Sequence, residues 1–394
     1  MTEHRPEVAD VFRQHGQEFL ERWGHALSWQ QIKALRDIGA CQTWLMGAHV
    51  KQCDSCSHRT TAFDSCRNRH CPKCQSTDRD KWLSRTSAEL LPTSYSHVVF
   101  TLPQQLAPVA LQNPRVIYHL FFTAAAETLM TIAADRKRLG ARIGFLAVLH
   151  TWNQQVMHHP HLHCLVPAGG ISPDGSRWLR CRLKYFLPVK VLAKMFRGKF
   201  LDLVREAYAR GKLRFFGLTN PLADRVSFDR FTMQLKEIKW VVYAKPPMNG
   251  PEHVIKYLAR YTHRVAIANG RIVEFADGRV TFRWRDSRDG NKQKLMTLDA
   301  VEFIRRYLLH VLPCGFVKIR RFGFLANRNR RASLALCRTL LRSRPTPAHP
   351  ITPERQRAIE RRCPLCEEGR MMVVEHITAR DFARVGAAPH IDTS

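Results

Sequence analysis

The sequence is poor in acid. It sets 33 Asp and Glu against 63 Lys and Arg, a formal net charge of +30 over 394 residues. An acid deficit of that size excludes a generic solvated surface. It points to a polyanionic partner, nucleic acid ahead of a membrane surface, because cations that neutralise phosphates release condensed counterions. Apolar runs are short: none approaches the roughly 20 residues that span a bilayer. The start, Met1-Thr2-Glu3-His4-Arg5-Pro6, is too polar for an export signal. A cytoplasmic protein with no membrane partner is expected. No GxxxxGK[ST] phosphate loop occurs, so neither a nucleotide cofactor nor a fused helicase is expected. Internal repeats and low-complexity blocks are lacking too.

Cysteine, by contrast, is plentiful, with twelve residues. In a reducing compartment that number favours metal ligation over disulfides. Cys53-Asp54-Ser55-Cys56 and Cys71-Pro72-Lys73-Cys74 are two CxxC knuckles fourteen residues apart. Each turn aims two thiolates at one point, and two such turns complete a tetrahedral zinc site. Cys41, His49, Cys66 and His70 lie in the same segment and offer a second site, so one or two structural Zn2+ ions are expected. Arg67, Asn68, Arg69 and Lys73 interleave with the ligands, as in a small metal-folded domain that presents cations to DNA. A lone Cys363-Pro364-Leu365-Cys366 follows the Pro-rich stretch 344–350. It is half a zinc site completed by His349, His376 or another chain, or else a vestige.

The stretch His158 to Val166 reads as a strand. Side chains alternate along a strand, so His161 and His163 share one face while Leu162 packs behind them. Two imidazoles side by side make half a metal site. With 19 histidines in the chain, a surface cluster arises by chance as readily. Residues 144–150 form another strand, joined to the first by a polar turn, which brings His150 near as a third ligand. Gln154, His159 and His263 are alternatives, and His253 also competes. Further strands are expected at 96–102 and 240–244, the latter closed by Pro246-Pro247. A long apolar helix is expected over 107–135, a basic one over 186–215, a hairpin over 271–285 and an amphipathic helix from Asp299 to Leu312.

Residues 251–264 read as a helix opened by Pro251 and Glu252. Tyr257 and Tyr261 stand at i and i+4, so both hydroxyls leave one face. Val254, Tyr257, Leu258 and Tyr261 also make an apolar stripe, and such tyrosines are usually core. Near the end, Lys318 to Phe324 and Asn327 to Arg331 interleave cations with aromatics. Arg320, Arg321, Arg328 and Arg330 could grip phosphates there while rings stack on bases, or could form a solvated cationic face. Lys245, Arg260 and Arg264 add cations around the tyrosine stretch.

The stretches SCRNRHCPKC (65–74), HVVFTLP (97–103), VLHTW (148–152), HPHLHCLV (159–166), YLARYTHRVAI (257–267), FIRRYLLHVLP (303–313) and FGFLANRNR (322–330) carry a family likeness. Over about residues 15 to 370 the chain resembles the two-tyrosine rolling-circle transposases of the HUH type, the insertion-sequence-91 family. The resemblance implies an α+β fold with a central antiparallel sheet flanked by helices. It implies Mg2+ or Mn2+ held by His161, His163 and a third ligand, with Tyr257 or Tyr261 as nucleophile. Single-stranded transposon ends and target DNA are the implied partners, and a nucleoid-associated location follows. The chain then divides into a helical and zinc-binding part (1–90), a catalytic domain ending in the tyrosine helix (91–270), a basic DNA-contacting part (271–344) and a tail (345–394). Rival readings are a plasmid replication initiator or relaxase of the same chemistry, a non-catalytic zinc-dependent DNA-binding protein, and a phosphodiesterase that uses water.

Overall fold

A computed structural model describes residues 5–181, 187–248, 254, 265–342 and 362–385. Helices α1 (Val8–Trp23) and α2 (Trp29–Ala40) lead to strands β1 (Ala48–Cys53) and β2 (Arg59–Phe63) and helix α3 (Pro72–Ser87). Strand β3 (Tyr95–Thr101), helices α4 (Ala107–Gln112) and α5 (Pro114–Ala134), and strands β4 (Gly144–Trp152) and β5 (His158–Pro167) follow. Next come β6 (Gly169–Ile171), β7 (Trp178–Arg180), α6 (Val189–Ala209), α7 (Arg225–Glu237) and β8 (Val242–Met248). A meander of β9 (Ile272–Ala276), β10 (Arg279–Asp286) and β11 (Lys292–Asp299) precedes a helix at Ala300–Leu308. Strand β12 (Ile319–Gly323), a helix at Arg330–Leu340 and strand β13 (Met371–Ile377) come after it. The chain is thus a mixed helix-and-sheet protein with antiparallel sheets.

The central sheet has the order β12-β4-β5-β3-β8. Alternation gives it two different faces. Phe100, Phe145, Leu149, Leu162, Cys164 and Val166 point one way and are buried under α5 and α6. Burying a large apolar side chain of this kind contributes roughly 1.5–3 kcal/mol, and this layer fixes the strands from behind. The other face carries the histidines.

The expected single helix over 107–135 is two. Pro114 cannot continue α4, because it lacks the N–H and clashes with the preceding turn. Asn113 sits at the break, donating to the Val109 and Arg214 carbonyls at 3.1 and 2.8 Å. The expectation about apolar runs also needs correction: by length and composition alone α5 could cross a membrane. Most of it is buried instead, with Phe121, Phe122 and Leu129 inside the core.

Both sheet edges depart from expectation. Strand β8 does not stop at Pro246-Pro247 but pairs through to Met248 opposite Tyr95. It is an edge strand, where a missing N–H can face away from the ladder. The basic run around 318–321 is no free surface run; it is the opposite edge, with Arg320 paired to Ala147 and Arg321 to Leu146.

Helices α1 and α2 share a second core with the meander and the Ala300–Leu308 helix. Phe12 meets Tyr307 edge-on at 5.2 Å, and Phe19, Leu35 and Ile38 pack with Val280, Phe282 and Phe303. Cuts at 90 and 270 therefore divide one packed unit. The β9–β10 hairpin turns at Asp277 and Gly278, with φ of 49° and 68°. Asp299 caps the next helix by accepting from Val301 N at 2.9 Å. A third sheet, β13-β1-β2, brings the tail back onto the N-terminal hairpin.

Candidate active site and metal centres

Strands β4 and β5 deliver three histidines to one point. Their register sets His150 opposite His161 and Val148 opposite His163. One ring nitrogen of each of His150, His161 and His163 lies within 4.8 Å of the others. The ring centroids of His150 and His163 are 4.6 Å apart and those of His161 and His163 are 4.8 Å apart. Each imidazole is held by a neighbour. His161 Nδ1 lies 2.7 Å from the His159 carbonyl oxygen, which can only accept, so Nδ1 carries the proton and Nε2 keeps its lone pair. His163 Nδ1 lies 2.9 Å from His97 Nε2 on β3. His150 stacks on Trp152 at 4.6 Å. Burial pushes His161 down to about 4, so its ring is neutral near pH 7.

His97 escaped sequence reasoning. It shares the face with the three histidines, because β3 pairs Val99 with His163 and His97 with Leu165. Burial first, then the nearby Lys245 charge, lowers it to about 3. Strand β8 sets Tyr243 and Lys245 opposite Val99 and His97, and both are exposed on this face. Beyond them Leu146, Val148, Leu165 and Tyr95 form an apolar patch completed by Val254, which is fully buried. Tyr257, Tyr261, His253 and His263 lie outside the described residues, as do Arg260 and Arg264. Of the alternative ligands that are described, exposed Gln154 sits in the β4–β5 turn and His159 stands one register step beyond His161; neither joins the group.

Other histidines nearby serve the core. His310 Nε2 donates to the Val156 carbonyl at 3.0 Å while Thr151 Oγ1 lies 3.1 Å from its Nδ1. It thereby braces a hairpin turn in which Val156 is held at φ 59°. His158 lies 2.8 Å from the Tyr118 hydroxyl. His70 Nε2 accepts from Leu312 N at 3.3 Å. Desolvation lowers His70 and His158 to about 3 and His310 to about 4. With folded values below the ordinary 6.5, the unfolded chain takes these protons first as pH falls. Stability is then lost from pH 6.5 down to about 4, at roughly 1.4 kcal/mol per pH unit for each ring. Urea unfolding followed from pH 7 to 4.5 should show that decline; a flat midpoint would contradict it.

The cysteines group differently from the sequence expectation. Cys71 and Cys74 do not face Cys53 and Cys56. They join Cys41 and Cys66, while Cys53 and Cys56 join Cys363 and Cys366. Cys41 closes α2, Cys71 caps α3 and Cys74 lies in its first turn, so helix ends bring this group together. Its sulfurs stand 3.6–3.7 Å apart for the pairs Cys41–Cys71, Cys41–Cys74 and Cys66–Cys74. A tetrahedral zinc with bonds near 2.3 Å sets its sulfurs about 3.8 Å apart, whereas a disulfide needs about 2.05 Å. Hydrogen bonds from Cys66 and Cys71 pull Cys41 far below the usual thiol range. His49 and His70 stand outside both groups. His49 pairs with Asp64 at 2.9 Å, and the His70 nitrogen is committed to Leu312.

The candidate DNA cations divide. Arg67, Lys245 and Arg328 are exposed. Lys73 pairs with Glu7 at 2.6 Å, and Arg321 and Arg330 share Glu89 at 3.0 and 3.1 Å. Arg69 donates to the Phe316 carbonyl at 2.8 Å. Arg320 lies over the Phe122 ring at 4.3 Å. It lines a cleft of about 770 Å3 with Arg115, His119, Arg210 and Lys212, on the helical side of the sheet.

Residues 11–102 match a family described as a transposase zinc-binding domain, and residues 144–333 match one described as a putative transposase. A putative transposase, y4qJ, of Sinorhizobium fredii (strain NBRC 101917 / NGR234) is 51% identical over 384 residues, 95% of this chain and 96% of that one. The transposase for insertion sequence element IS801 of Pseudomonas savastanoi pv. phaseolicola is 28% identical over 320 residues, 78% of this chain and 74% of that one. The histidine group lies inside the second matched range and the Cys41 group inside the first; Cys363 and Cys366 lie outside both.

Proposed function

This chain belongs to the insertion-sequence-91 family of transposases with an N-terminal zinc-binding domain, and we propose that it cuts and rejoins single-stranded DNA through a tyrosine–phosphate bond. The observation that carries the reading is the convergence of His150, His161 and His163 on one rigid sheet face. Val254, three residues before Tyr257, is buried on that same face against Leu146, Val148 and Leu165. The fold is read as HUH-type on the same ground.

The three imidazoles suit a divalent ion. Neutral nitrogen donors fit Mn2+ better than Mg2+, which prefers carboxylate and water oxygens. When bound, such an ion would supply Lewis-acid polarisation of the scissile phosphate and offset charge on its oxygens. His161 and His163 would hold it from β5 and His150 from β4. Tyr257 or Tyr261 gives up its hydroxyl proton as it attacks phosphorus; the bond to O3′ breaks, and the leaving oxygen takes up one proton in exchange to become a free 3′-OH. The 5′-phosphotyrosine conserves the bond energy, so no nucleotide is needed. A second tyrosine four positions away in the sequence permits a second attack while the first strand stays tethered. Lys245 and Arg264 steer the backbone past the site, and Arg67, Arg260 and Arg328 hold flanking phosphates. Zinc at Cys41, Cys66, Cys71 and Cys74 folds the N-terminal part and takes no part in chemistry.

The test is to incubate the protein with labelled single-stranded DNA and Mn2+, then denature. A covalent adduct lost in the Tyr257→Phe plus Tyr261→Phe variant is expected. Cleavage without an adduct would favour water as the nucleophile, and binding without cleavage would favour a DNA-binding protein alone. His97 enters as a positioning residue, since it orients the His163 ring. Partners of metal-bound imidazoles typically set affinity by about 10–100-fold. His97→Ala should therefore raise the Mn2+ concentration for half-maximal cleavage by about that factor while rescue at high Mn2+ remains. An unchanged Mn2+ titration would remove His97 from the site.

A further inference from the structure

We infer that Cys53, Cys56, Cys363 and Cys366 bind a second structural zinc ion that clips the C-terminal tail onto the N-terminal hairpin. The four sulfurs come from two CxxC turns more than 300 positions apart in sequence. Cys53 Sγ lies 3.7 Å from Cys366 Sγ, and Cys56 Sγ lies 3.6 Å from Cys363 Sγ. These are edges of a tetrahedron of the size zinc requires, and far too long for disulfides.

The two turns are built alike, as metal knuckles are. In each, the residue after the second cysteine takes a left-handed conformation, Ser57 at φ 59° and Glu367 at φ 58°. In each, the first cysteine's N–H reaches across the turn, Cys53 to the His58 carbonyl and Cys363 to the Gly369 carbonyl, both at 2.8 Å. Backbone N–H groups point at the sulfurs: Ser55 to Cys53 at 3.4 Å and Leu365 to Cys363 at 3.4 Å. Donors so placed favour thiolates, the form that ligates. Gly369 lies where a Cβ would collide with Cys53 Sγ and Ser55, so the second knuckle closes on the first only with glycine there.

The surrounding contacts point the same way. Asp54 Oδ1 accepts from Arg370 N at 2.7 Å, and β13 then runs antiparallel to β1 from Cys53–Met371 onward. Among the described residues the apolar support is slight: Cys53, Cys363 and Met371 form the local buried cluster beside half-buried Cys366. Three exposed residues, Met372, Val373 and Val374, follow. So small a core does not hold a strand by burial alone, and a tetrathiolate ion supplies what is missing. All four positions are protein ligands, so the site is closed and structural. Such a clip is independent of the tyrosine chemistry.

The test uses the full chain. A thiol-directed reagent that releases zinc only from sulfur should free two ions per chain from the native protein and one from the Cys363→Ser plus Cys366→Ser variant. Amide exchange over residues 371–377 should rise in that variant. A variant that fails to fold leaves a second measurement on the native protein. Cys363 and Cys366 should resist alkylation together with Cys53 and Cys56, and all four should become at least tenfold more reactive after a strong chelator. Release of one ion from native protein, an unchanged count in the variant, or Cys363 and Cys366 reactive before chelation would overturn the assignment.

Discussion

Changing His161 and His163 together to alanine should lower strand cleavage by at least about 10³-fold, the scale on which removing one charge-stabilising group already acts. The two rings leave alternate positions on one face of a strand, and His150 alone cannot hold a divalent ion at the phosphate. DNA affinity should change little, because the exposed cations Arg67, Lys245 and Arg328 are untouched. The fold should persist, because Leu162 and Cys164 anchor β5 from the opposite face. Cleavage of a labelled oligonucleotide and a gel-shift titration on the same variant separate the two effects. Near-normal cleavage, or loss of binding in parallel with cleavage, would remove the histidine group from catalysis.

The second large effect should come from Cys71→Ser. Zinc bound by four thiolates contributes an apparent 10–16 kcal/mol or so in isolated zinc-folded peptides. Even a third of that, about 4 kcal/mol, lowers the midpoint of a mid-sized domain by roughly 8–16 °C. Cys71 is buried at the start of α3 and Cys41 is buried at the end of α2. Losing the ion frees both ends. The damage should spread beyond the cysteines, because α1 and α2 form one core with the meander and the Ala300–Leu308 helix. Amide exchange over residues 8–41 and 300–308 should therefore rise together in the variant, and also after chelation of the native protein. Protection unchanged in both segments would show that the Cys41 group holds no structural ion.

Much of the site was legible because strands have a period of two. His161 and His163 had to share a face, and the short polar turn before them put His150 on the neighbouring strand, where the register sets it opposite His161. His97 stayed hidden because β3 and β5 are adjacent only through a crossover, which alternation within one strand does not report. The cysteine partners were misgrouped for a related reason. Spacing favours ligands close in sequence, whereas the tail returns to β1 after the central sheet and the meander, where Cys363 and Cys366 join Cys53 and Cys56. Cys41, with no CxxC partner of its own, is recruited by the end of α2. The basic run near 320 looked like a free surface because its cations dominate its composition. As the edge strand of the central sheet, it turns Ile319 and Arg321 to one side and Arg320 and Phe322 to the other. Arg321 then pairs with Glu89 while Arg320 packs on rings. Prolines 246 and 247 misled for the opposite reason: their effect depends on whether a strand is central or at an edge, which only topology decides.

The covalent link itself tests the central claim most directly. Trypsin cuts after Lys256, Arg260 and Arg264, so Tyr257 and Tyr261 fall in separate short peptides, 257–260 and 261–264. Protein incubated with single-stranded DNA and Mn2+, denatured, digested with nuclease and trypsin and read by mass spectrometry should carry a nucleotide phosphate on one or both of these peptides. The identity of the peptide names the first nucleophile. A phosphate found on any other residue, or strand cleavage with both peptides unmodified, would contradict the account.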